Sequence, residues 1–256
     1  MIANYHTHTP RCHHAYGDEE AYVANALEGG LQVLGFSDHT PYWFPNGYYT
    51  HMRMFPEQLG EYTETIRSLQ KKYTNQIQIH LGLEVEYYPA FFSDLMSRLR
   101  DSCVEYMLLG QHWLGDEIGE PYCGTATARE EDLRRYCDQV IEAMETGLFT
   151  YLAHPDLLKF IGDRKIYEQH MRRLCRAAKA CDMPLEMNLW GLQGNRHYPN
   201  HYFWVIAAEE GCKTVIGSDA HEPWAVNNTM QEARALELVR TYDLNLLPTV
   251  PLRLIG

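Results

Sequence analysis

Seven short apolar segments alternate with longer segments of helical pattern, and this alternation constrains the fold more than any other feature of the chain. Strands that alternate with helices form a parallel sheet with the helices packed outside it. The predicted strands are the opening segment before His6, Leu31–Phe36, Ile77–Val85, Val104–Leu109, Phe149–Ala153, Pro184–Leu189 and Lys213–Ile216. The predicted helices are Asp18–Glu28, Pro56–Tyr73, Phe91–Arg100, Glu130–Thr146, Ile166–Cys181, Tyr202–Glu210 and Gln231–Thr241. Eight such units make a TIM barrel, so seven predict an α/β fold of a related kind, a distorted (β/α)7 barrel.

Composition sets the class of protein. The 256 residues, with 45% apolar and 22% charged side chains, suit one large globular domain, and no repeat or linker divides residues 1–256. The formal net charge of −12 argues against a nucleic-acid-binding surface, which needs clustered Lys and Arg. Seven scattered cysteines without a CxxC pair favour a reducing cytoplasm, and the longest apolar run, Phe203 to Ala208, is too short to cross a membrane.

Polar residues follow most of the predicted strands at the point where each strand ends. The carboxyl ends of parallel strands share one face of a barrel, which is the face where active sites are built. Six of the seven predicted strands supply a potential metal ligand there, namely His6 and His8, His39, Glu84, His112, His154, and Asp219 with His221. Chance scattering of histidine would not give that placement, so we expect these side chains to converge.

The segment Asn4 to Gly17 reads NYHTHTPRCHHAYG and carries further histidines. His6 and His8 are two residues apart, so on an extended strand both imidazoles point to one side. His14 follows a turn that contains Pro10 and can return to the same place. Taken alone, this stretch is also compatible with a polar N-terminal loop, and the strand-end pattern decides in favour of a metal site.

The candidate ligands are seven imidazoles and two carboxylates, a set typical of zinc, iron or manganese. Nine ligands exceed what one catalytic ion needs, so we expect two or three ions. Glu84 is the candidate bridge, because it comes from a middle strand and can offer one oxygen to each neighbour. Clustered divalent ions suit phosphoester hydrolysis. No HExxH, GxSxG, Walker or GxGxxG motif is present in the sequence to support another mechanism.

Six motifs in order, HTHT followed by His14, GFSDH, GLE, GQH, AHPD and GSDAH, resemble those of the PHP (polymerase and histidinol phosphatase) family, and most closely its histidinol-phosphatase branch. The resemblance runs through nearly the whole chain. It implies a trinuclear metal centre at the C-terminal face of the barrel. One ion would take His6, His8, Glu84 and Asp219; a second would share Glu84 and take His112 and His154; the third would take His14, His39 and His221.

The function that the resemblance implies is a phosphatase, with a hydroxide held between metals attacking phosphorus and with Glu84, Asp219 and His221 as catalytic residues. For this branch the substrate would be L-histidinol phosphate, in histidine biosynthesis. Two alternatives stay open: a PHP phosphatase for another small phosphomonoester or nucleotide, and a non-catalytic metal-binding or assembly module like the PHP domains of bacterial polymerases. We expect a cytoplasmic monomer or small homo-oligomer with a small phosphorylated metabolite as its partner, and neither nucleic acid nor membrane.

A phosphatase also needs cationic side chains, and the planar fork of arginine matches phosphate oxygens. Three arginines in the long strand-end loops are candidates, namely Arg53, Arg164 and Arg196. Arg196 is favoured because the family branch has an arginine after this strand, although the local sequence LWGLQGNR departs from the branch's usual pattern. Trp43 and Trp113 are the candidate walls of a substrate pocket, and Asp116 and Glu117 could meet the ammonium group of histidinol phosphate.

Overall fold

The computed structural model describes residues 1–255 and shows strands that alternate with helices. The strands are β1 (Ala3–Asn4), β2 (Val33–His39), β3 (Gln78–Val85), β4 (Tyr106–Leu109), β5 (Phe149–Leu152), β6 (Leu185–Asn188), β7 (Lys213–Gly217) and β8 (Asn245–Leu246). The α-helices are α1 (Glu19–Glu28), α2 (Leu59–Tyr73), α3 (Pro89–Leu99), α4 (Glu130–Glu145), α5 (Arg164–Ala180), α6 (Leu189–Gln193), α7 (His201–Glu210) and α8 (Thr229–Tyr242).

The strands form one curled sheet in chain order, and each strand is parallel to its neighbours. The predicted α/β fold with a parallel, TIM-like sheet is therefore confirmed. Within residues 1–255 the sheet has an eighth strand, β8, which is not among the seven strands predicted from the sequence. This strand is only two residues long and pairs with Lys213 and Thr214 of β7, so it carries too little periodicity to be recognised.

The first and seventh strands meet beyond their regular ends. Thr7 and Ala220 form a parallel bridge, in which the His8 amide donates to the Ala220 carbonyl at 2.9 Å and the Ala220 amide donates to the His6 carbonyl at 3.2 Å. This pairing curls the sheet toward a barrel at the face where the strands end. It also places the histidine-rich opening segment directly beside the segment that carries Asp219 and His221.

The predicted sixth strand ends one residue early. Leu189 begins the short helix α6, because the Asn188 side chain accepts the Gly191 amide at 2.9 Å and caps it. Two residues that sequence patterning placed near a strand end and in a loop, Leu189 and Trp190, therefore lie on a helix. This helix begins directly after the carboxyl end of β6, at the face where the candidate ligands gather.

A second buried apolar cluster lies inside the curled sheet, and we call it the tyrosine layer: Ala3, Tyr5, Tyr106, Leu108, Tyr151, Ala153, Val215 and Val250. Tyr106 of β4 reaches across the interior and donates its hydroxyl to the Tyr5 carbonyl at 2.7 Å. Glycine makes room for this ring, since a Cβ at Gly82 would lie 2.3 Å from it. A larger apolar cluster lies between the sheet and the helices.

No helix within residues 1–255 is both long and apolar enough to cross a membrane.

Candidate metal centre

The candidate ligands gather at the carboxyl ends of the strands. The last residues of β2 and β3 include His39 and Glu84. The other ligands lie in the segments that follow strands: His6, His8 and His14 after β1, and His112, His154, Asp219 and His221 after β4, β5 and β7. His154 and Asp219 have left-handed backbone conformations, with φ of 29° and 49°. Such φ values are uncommon for residues other than glycine and are concentrated at functional sites. Ligand atoms within 4.8 Å of one another form several overlapping groups, among them His6–His8–Asp219, His6–Glu84–His154, His8–His39–Glu84 and His14–His39–His221.

Glu84 lies at the middle of these groups and its two oxygens face different histidines. Its Oε1 lies 2.8 Å from His154 Nε2 and 3.7 Å from His112 Nε2. Its Oε2 lies 3.1 Å from His39 Nδ1 and 3.5 Å from His6 Nε2. The absence of a side chain at Gly110 makes this position possible, because a Cβ there would lie 1.9 Å from Oε1. A carboxylate in this position can offer one oxygen to each of two cations.

The histidine-rich opening segment faces Asp219. The Asp219 Oδ1 lies 3.1 Å from His8 Nε2 and 3.6 Å from His6 Nε2. The His8 ring is stacked on His221, with centroids 4.1 Å apart, and this contact joins the opening segment to the group His14–His39–His221. The side chains of His8, Asp219 and His221 are almost completely buried.

For two rings of the group His14–His39–His221, backbone carbonyls determine which ring nitrogen is free. The His14 Nδ1 donates to the Cys12 carbonyl at 2.7 Å, and the His221 Nδ1 donates to the Asp219 carbonyl at 3.0 Å. Each of these rings therefore presents an unprotonated Nε2 when neutral, which is the form that binds a metal. The Cys12 sulfur is also close to His8 and His221.

Three carboxylates that sequence reasoning did not assign to the site lie behind the candidate ligands. Glu186 binds His6 Nδ1 and Glu86 binds His112 Nδ1, each at 2.8 Å, and Asp38 lies 3.4 Å from His8 Nδ1. Carboxylates in this arrangement fix the ring orientation of metal-binding histidines. Alternation along the strands carried a signal for two of them, since Glu86 is two residues from Glu84 and Glu186 is two residues from Asn188.

Several ligand atoms at the centre are buried and have no hydrogen-bond partner among residues 1–255. These atoms are the Nε2 of His6, His8 and His221, and the Oε2 of Glu84. Buried polar atoms are nearly always paired, so a convergent group of unpaired ones calls for an explanation. Imidazole nitrogens and carboxylate oxygens are the ligands that zinc, iron and manganese accept. The residues present therefore fit divalent metal ions.

Burial and charge divide the protonation states within the site. Burial lowers the pKa of His39 and His221 well below the ordinary value, which keeps both rings neutral. Burial alone would raise the pKa of Glu84, but the neighbouring histidines, His112 first, outweigh it and hold that pKa well below its usual range. His39, His221 and Glu84 are therefore in the forms that bind metal. At His6 and His8 burial acts to lower the pKa, but the neighbouring carboxylates outweigh it and raise the pKa of both rings well above the ordinary value.

A cavity of about 450 Å³ opens above these residues. This volume is within the range of sites for small molecules. Two of the predicted substrate-binding residues, Arg196 and Trp113, line it, and so do residues that sequence reasoning missed: Met52, Tyr122, Leu157, Trp190 and Tyr198. The missed residues come from long loops and from α6, where the sequence has no strand-end signal to mark them.

The structure corrects the placement of three predicted substrate-binding residues. Arg53 is buried and its guanidinium binds Glu86 at 2.9 Å and Glu117 at 3.2 Å, so it is already neutralised. Arg164 is exposed on α5 and pairs with Glu168. Trp43 packs beneath Arg98, whose guanidinium carbon is 4.6 Å from the indole. None of the three, within the described residues, lines the cavity.

The proposed acidic partners of a substrate ammonium group are also engaged elsewhere. Glu117 belongs to the Arg53 ion pairs, and the Asp116 carboxylate accepts the amide of Ile118 at 2.7 Å. The described lining of the cavity includes the carboxylates Glu84 and Asp219, which are themselves candidate ligands. The rest of its wall is mainly aromatic.

Comparison with known proteins gives a consistent result. The PHP domain profile matches residues 4–189. A relative from Deinococcus radiodurans named "probable histidinol-phosphatase" is 31% identical over 238 residues, which cover 91% of each chain. The histidinol-phosphatase of Bacillus subtilis is 27% identical over 85% of this chain and 92% of its own.

A solved structure shares the fold. The crystal structure of histidinol phosphate phosphatase from Lactococcus lactis, complexed with zinc, L-histidinol and phosphate, superposes with a TM-score of 0.74 at 19% identity, over 97% of this chain and 96% of that one. At this identity the likeness establishes the architecture. Together with the profile match over most of the chain and the relative at 31% identity, it confirms the family expected from the motifs. The chain belongs to the PHP domain family.

Proposed function

We propose that this protein is a metal-dependent phosphomonoester hydrolase and that its substrate is L-histidinol phosphate. The observation that carries the proposal is the convergence of nine candidate ligands, several with unpaired buried atoms, beneath a cavity that an arginine borders. The curated relatives named histidinol-phosphatase support the substrate. We also infer that residues 1–256 form a single barrel domain.

The ligand set supports three divalent ions of zinc, iron or manganese. His6, His8, Glu84 and Asp219 would hold one; Glu84, His112 and His154 a second; and His14, His39 and His221 the third. The Oε1 of Glu84 lies near His154 and His112, and its Oε2 lies near His6 and His8, which supports a place for Glu84 between the first two. When bound, such ions supply an acidified water, bind phosphoryl oxygens and stabilise the departing alkoxide.

The other residues of the cavity act on the substrate itself. Arg196 borders the cavity and would donate hydrogen bonds from its planar fork to the phosphoryl oxygens. Trp113, Tyr122 and Tyr198 would surround the leaving group and exclude water from it. A flat imidazole suits such a wall, because aromatic rings stack on one another.

Steady-state kinetics on a panel of phosphomonoesters tests this proposal. Because contacts remote from phosphorus contribute to transition-state binding, kcat/KM for histidinol phosphate should exceed that for an aryl phosphate by at least about tenfold. Equal values would overturn the biosynthetic substrate and leave a phosphatase of another small phosphomonoester. Hydrolysis of no phosphomonoester by metal-replete protein would overturn the phosphatase and favour the non-catalytic module.

Elemental analysis tests the metal count. Metal-replete protein should contain close to three ions per chain. A stoichiometry that stays at one under saturating metal would contradict the trinuclear assignment. The Glu84→Gln protein, prepared in the same way, is the matched control for adventitious metal.

A further inference from the structure

Trp190 lies at the junction of two parts of the site. Its indole is stacked on the candidate ligand His221, with ring centroids 4.3 Å apart and planes 23° from parallel. The guanidinium carbon of Arg196 lies 3.9 Å from the centroid of the same indole. Trp190 itself is partly buried and lines the cavity. One side chain therefore contacts both a member of the His14–His39–His221 group and the arginine at the cavity.

Arg196 differs from Arg53 and Arg164 in what it binds. Arg53 is held by Glu86 and Glu117, and Arg164 is held by a glutamate on its own helix. Arg196 is exposed, pairs with no carboxylate within residues 1–255, and stacks on the indole instead. Stacking uses the flat face of a guanidinium and leaves its N–H groups free for an acceptor. A salt bridge would occupy those same N–H groups.

Hydrogen bonds hold the helix that carries the indole against the metal centre. Trp190 is in the first turn of α6, whose cap Asn188 donates to Asp219 Oδ2 at 3.0 Å and to Glu186 Oε2 at 2.9 Å. The Arg196 amide in turn donates to the Gly191 carbonyl at 3.0 Å. Both stacking partners are thus tied to α6, and α6 is tied to the carboxylates of the metal centre.

We propose that Trp190 is a positioning residue: it holds the Arg196 guanidinium at the cavity with its N–H groups unpaired, and it supports His221 in the third ligand group. This rests on the proposed function, since it assigns the free N–H groups of Arg196 to a phosphoryl group. An exposed arginine without such support would sample many rotamers and would have to be ordered by each substrate.

The test uses the zinc-loaded protein and inorganic phosphate as the probe. Trp190→Leu removes the stacking surface, and we expect it to raise the dissociation constant for phosphate about tenfold, whereas Trp190→Phe keeps an aromatic face and should raise it no more than about threefold. Trp43→Leu is the matched control, because it removes an Arg–Trp stack outside the cavity, and its phosphate affinity should equal that of the wild type. Equal phosphate affinity in Trp190→Leu and Trp43→Leu would overturn the proposal.

A double-mutant cycle separates positioning from a general structural role. If Trp190 acts through Arg196, then at zinc concentrations that saturate every site the Trp190→Leu/Arg196→Ala protein should bind phosphate within about twofold of Arg196→Ala alone. Losses that multiply would mean that Trp190 does not act through Arg196.

Zinc titration of the metal-free proteins tests the contact between Trp190 and His221. Trp190→Leu should bind one zinc equivalent about tenfold more weakly, whereas Arg196→Ala should bind zinc as the wild type does. Unchanged zinc binding in Trp190→Leu would overturn the support of His221.

These measurements also distinguish this inference from the proposed function. Wild-type protein that binds phosphate with the expected dependence on Trp190 but hydrolyses no phosphomonoester would overturn the enzyme and support the positioning role. If the zinc-loaded wild type hydrolyses histidinol phosphate and Trp190→Leu has the same kinetics, the enzyme assignment is supported and the positioning role is overturned.

Discussion

The inside of the barrel has two layers with opposite chemistry, although the same strands build both. In the tyrosine layer the buried hydroxyls are paired: Tyr106 donates to the Tyr5 carbonyl and Tyr151 to Glu186. In the layer of candidate ligands, His8 Nε2 and Glu84 Oε2 are buried and have no partner within the described residues. Unpaired buried polar atoms cost stability unless something binds them. The difference indicates that one layer stabilises the fold and the other is kept available for metal.

Glycine allows both layers to exist on the same strands. A Cβ at Gly82 would meet the Tyr106 ring, and a Cβ at Gly110 would meet Glu84. A further example is Gly217, where a Cβ would lie 1.8 Å from Glu186 Oε1. The interior is filled so closely that a methyl group at these positions would displace either a tyrosine ring or a carboxylate.

The largest expected effect comes from the centre of the ligand layer. Glu84→Gln keeps the shape of the side chain but loses the charge needed between two cations, so kcat should fall on the order of 10³-fold or more. Glu105→Gln is the control, because Glu105 binds His80 at a distance of 2.8 Å and does not line the cavity. Steady-state kinetics and metal analysis check both. Activity within about tenfold of wild type, with metal retained, would mean that Glu84 is not a bridge.

The second prediction concerns Arg53, whose pairing resembles a stabilising network rather than a substrate contact. Arg53→Ala leaves Glu86 and Glu117 buried without their cation, and we expect a loss of about 3–5 kcal/mol in the free energy of unfolding. Arg164→Ala removes an exposed arginine and should leave that free energy unchanged within error. Denaturant titration of the two proteins measures the difference. Equal stability of both would contradict the burial and pairing of Arg53.

The third prediction concerns Arg196, which we expect to contribute to activity and not to stability. Arg196→Ala removes charge-assisted hydrogen bonds to phosphate, so kcat/KM should fall roughly 10- to 100-fold. Arg196→Lys keeps the charge but not the planar fork and should lie between the wild type and Arg196→Ala. The free energy of unfolding and the metal content should not change. A fall in metal content that parallels the loss of activity would place Arg196 in the ligand layer instead.

Arg53 and Arg196 show which parts of the site can be predicted from the sequence and which cannot. Both lie in strand-end loops, and sequence patterning cannot tell them apart, because the partners of Arg53 come from other elements of the chain. The candidate ligands could be located, because a strand's end in a parallel sheet fixes which face a residue joins. Trp190 could not, since α6 begins where the pattern predicts a strand.

The other differences between the predicted and the observed structure also arise from contacts between elements that are distant in the chain, or from elements that are very short. Glu186 was not assigned to the site, because alternation along β6 indicates which face it joins but not that its carboxylate contacts His6. The strand β8 is too short to have a period. Sequence predicts which residues share a face, whereas their pairing depends on distances between elements that are far apart in the chain.

The smallest expected effects compare two tyrosines of the tyrosine layer. Tyr106→Phe removes the hydroxyl that binds the Tyr5 carbonyl, and the free energy of unfolding should fall by about 1 kcal/mol. Because Tyr106 does not contact the candidate ligands, kcat/KM should stay within about twofold of wild type. Denaturant titration and steady-state kinetics on the same preparation measure both quantities.

Tyr151→Phe makes the same chemical change at the boundary between the layers. The Tyr151 hydroxyl lies 3.2 Å from Glu186 Oε1, the oxygen that also binds His6 Nδ1 at 2.8 Å. Its loss should cost about as much stability as Tyr106→Phe, and it should also lower kcat/KM about three- to tenfold, less than the 10- to 100-fold typical of a direct partner of a metal ligand. Unchanged activity in Tyr151→Phe would mean that Glu186 orients His6 without help from the tyrosine layer. An equal loss of activity in both variants would mean that the tyrosine layer sets the ligand geometry as a whole, and the division between a stabilising layer and a binding layer would then be wrong.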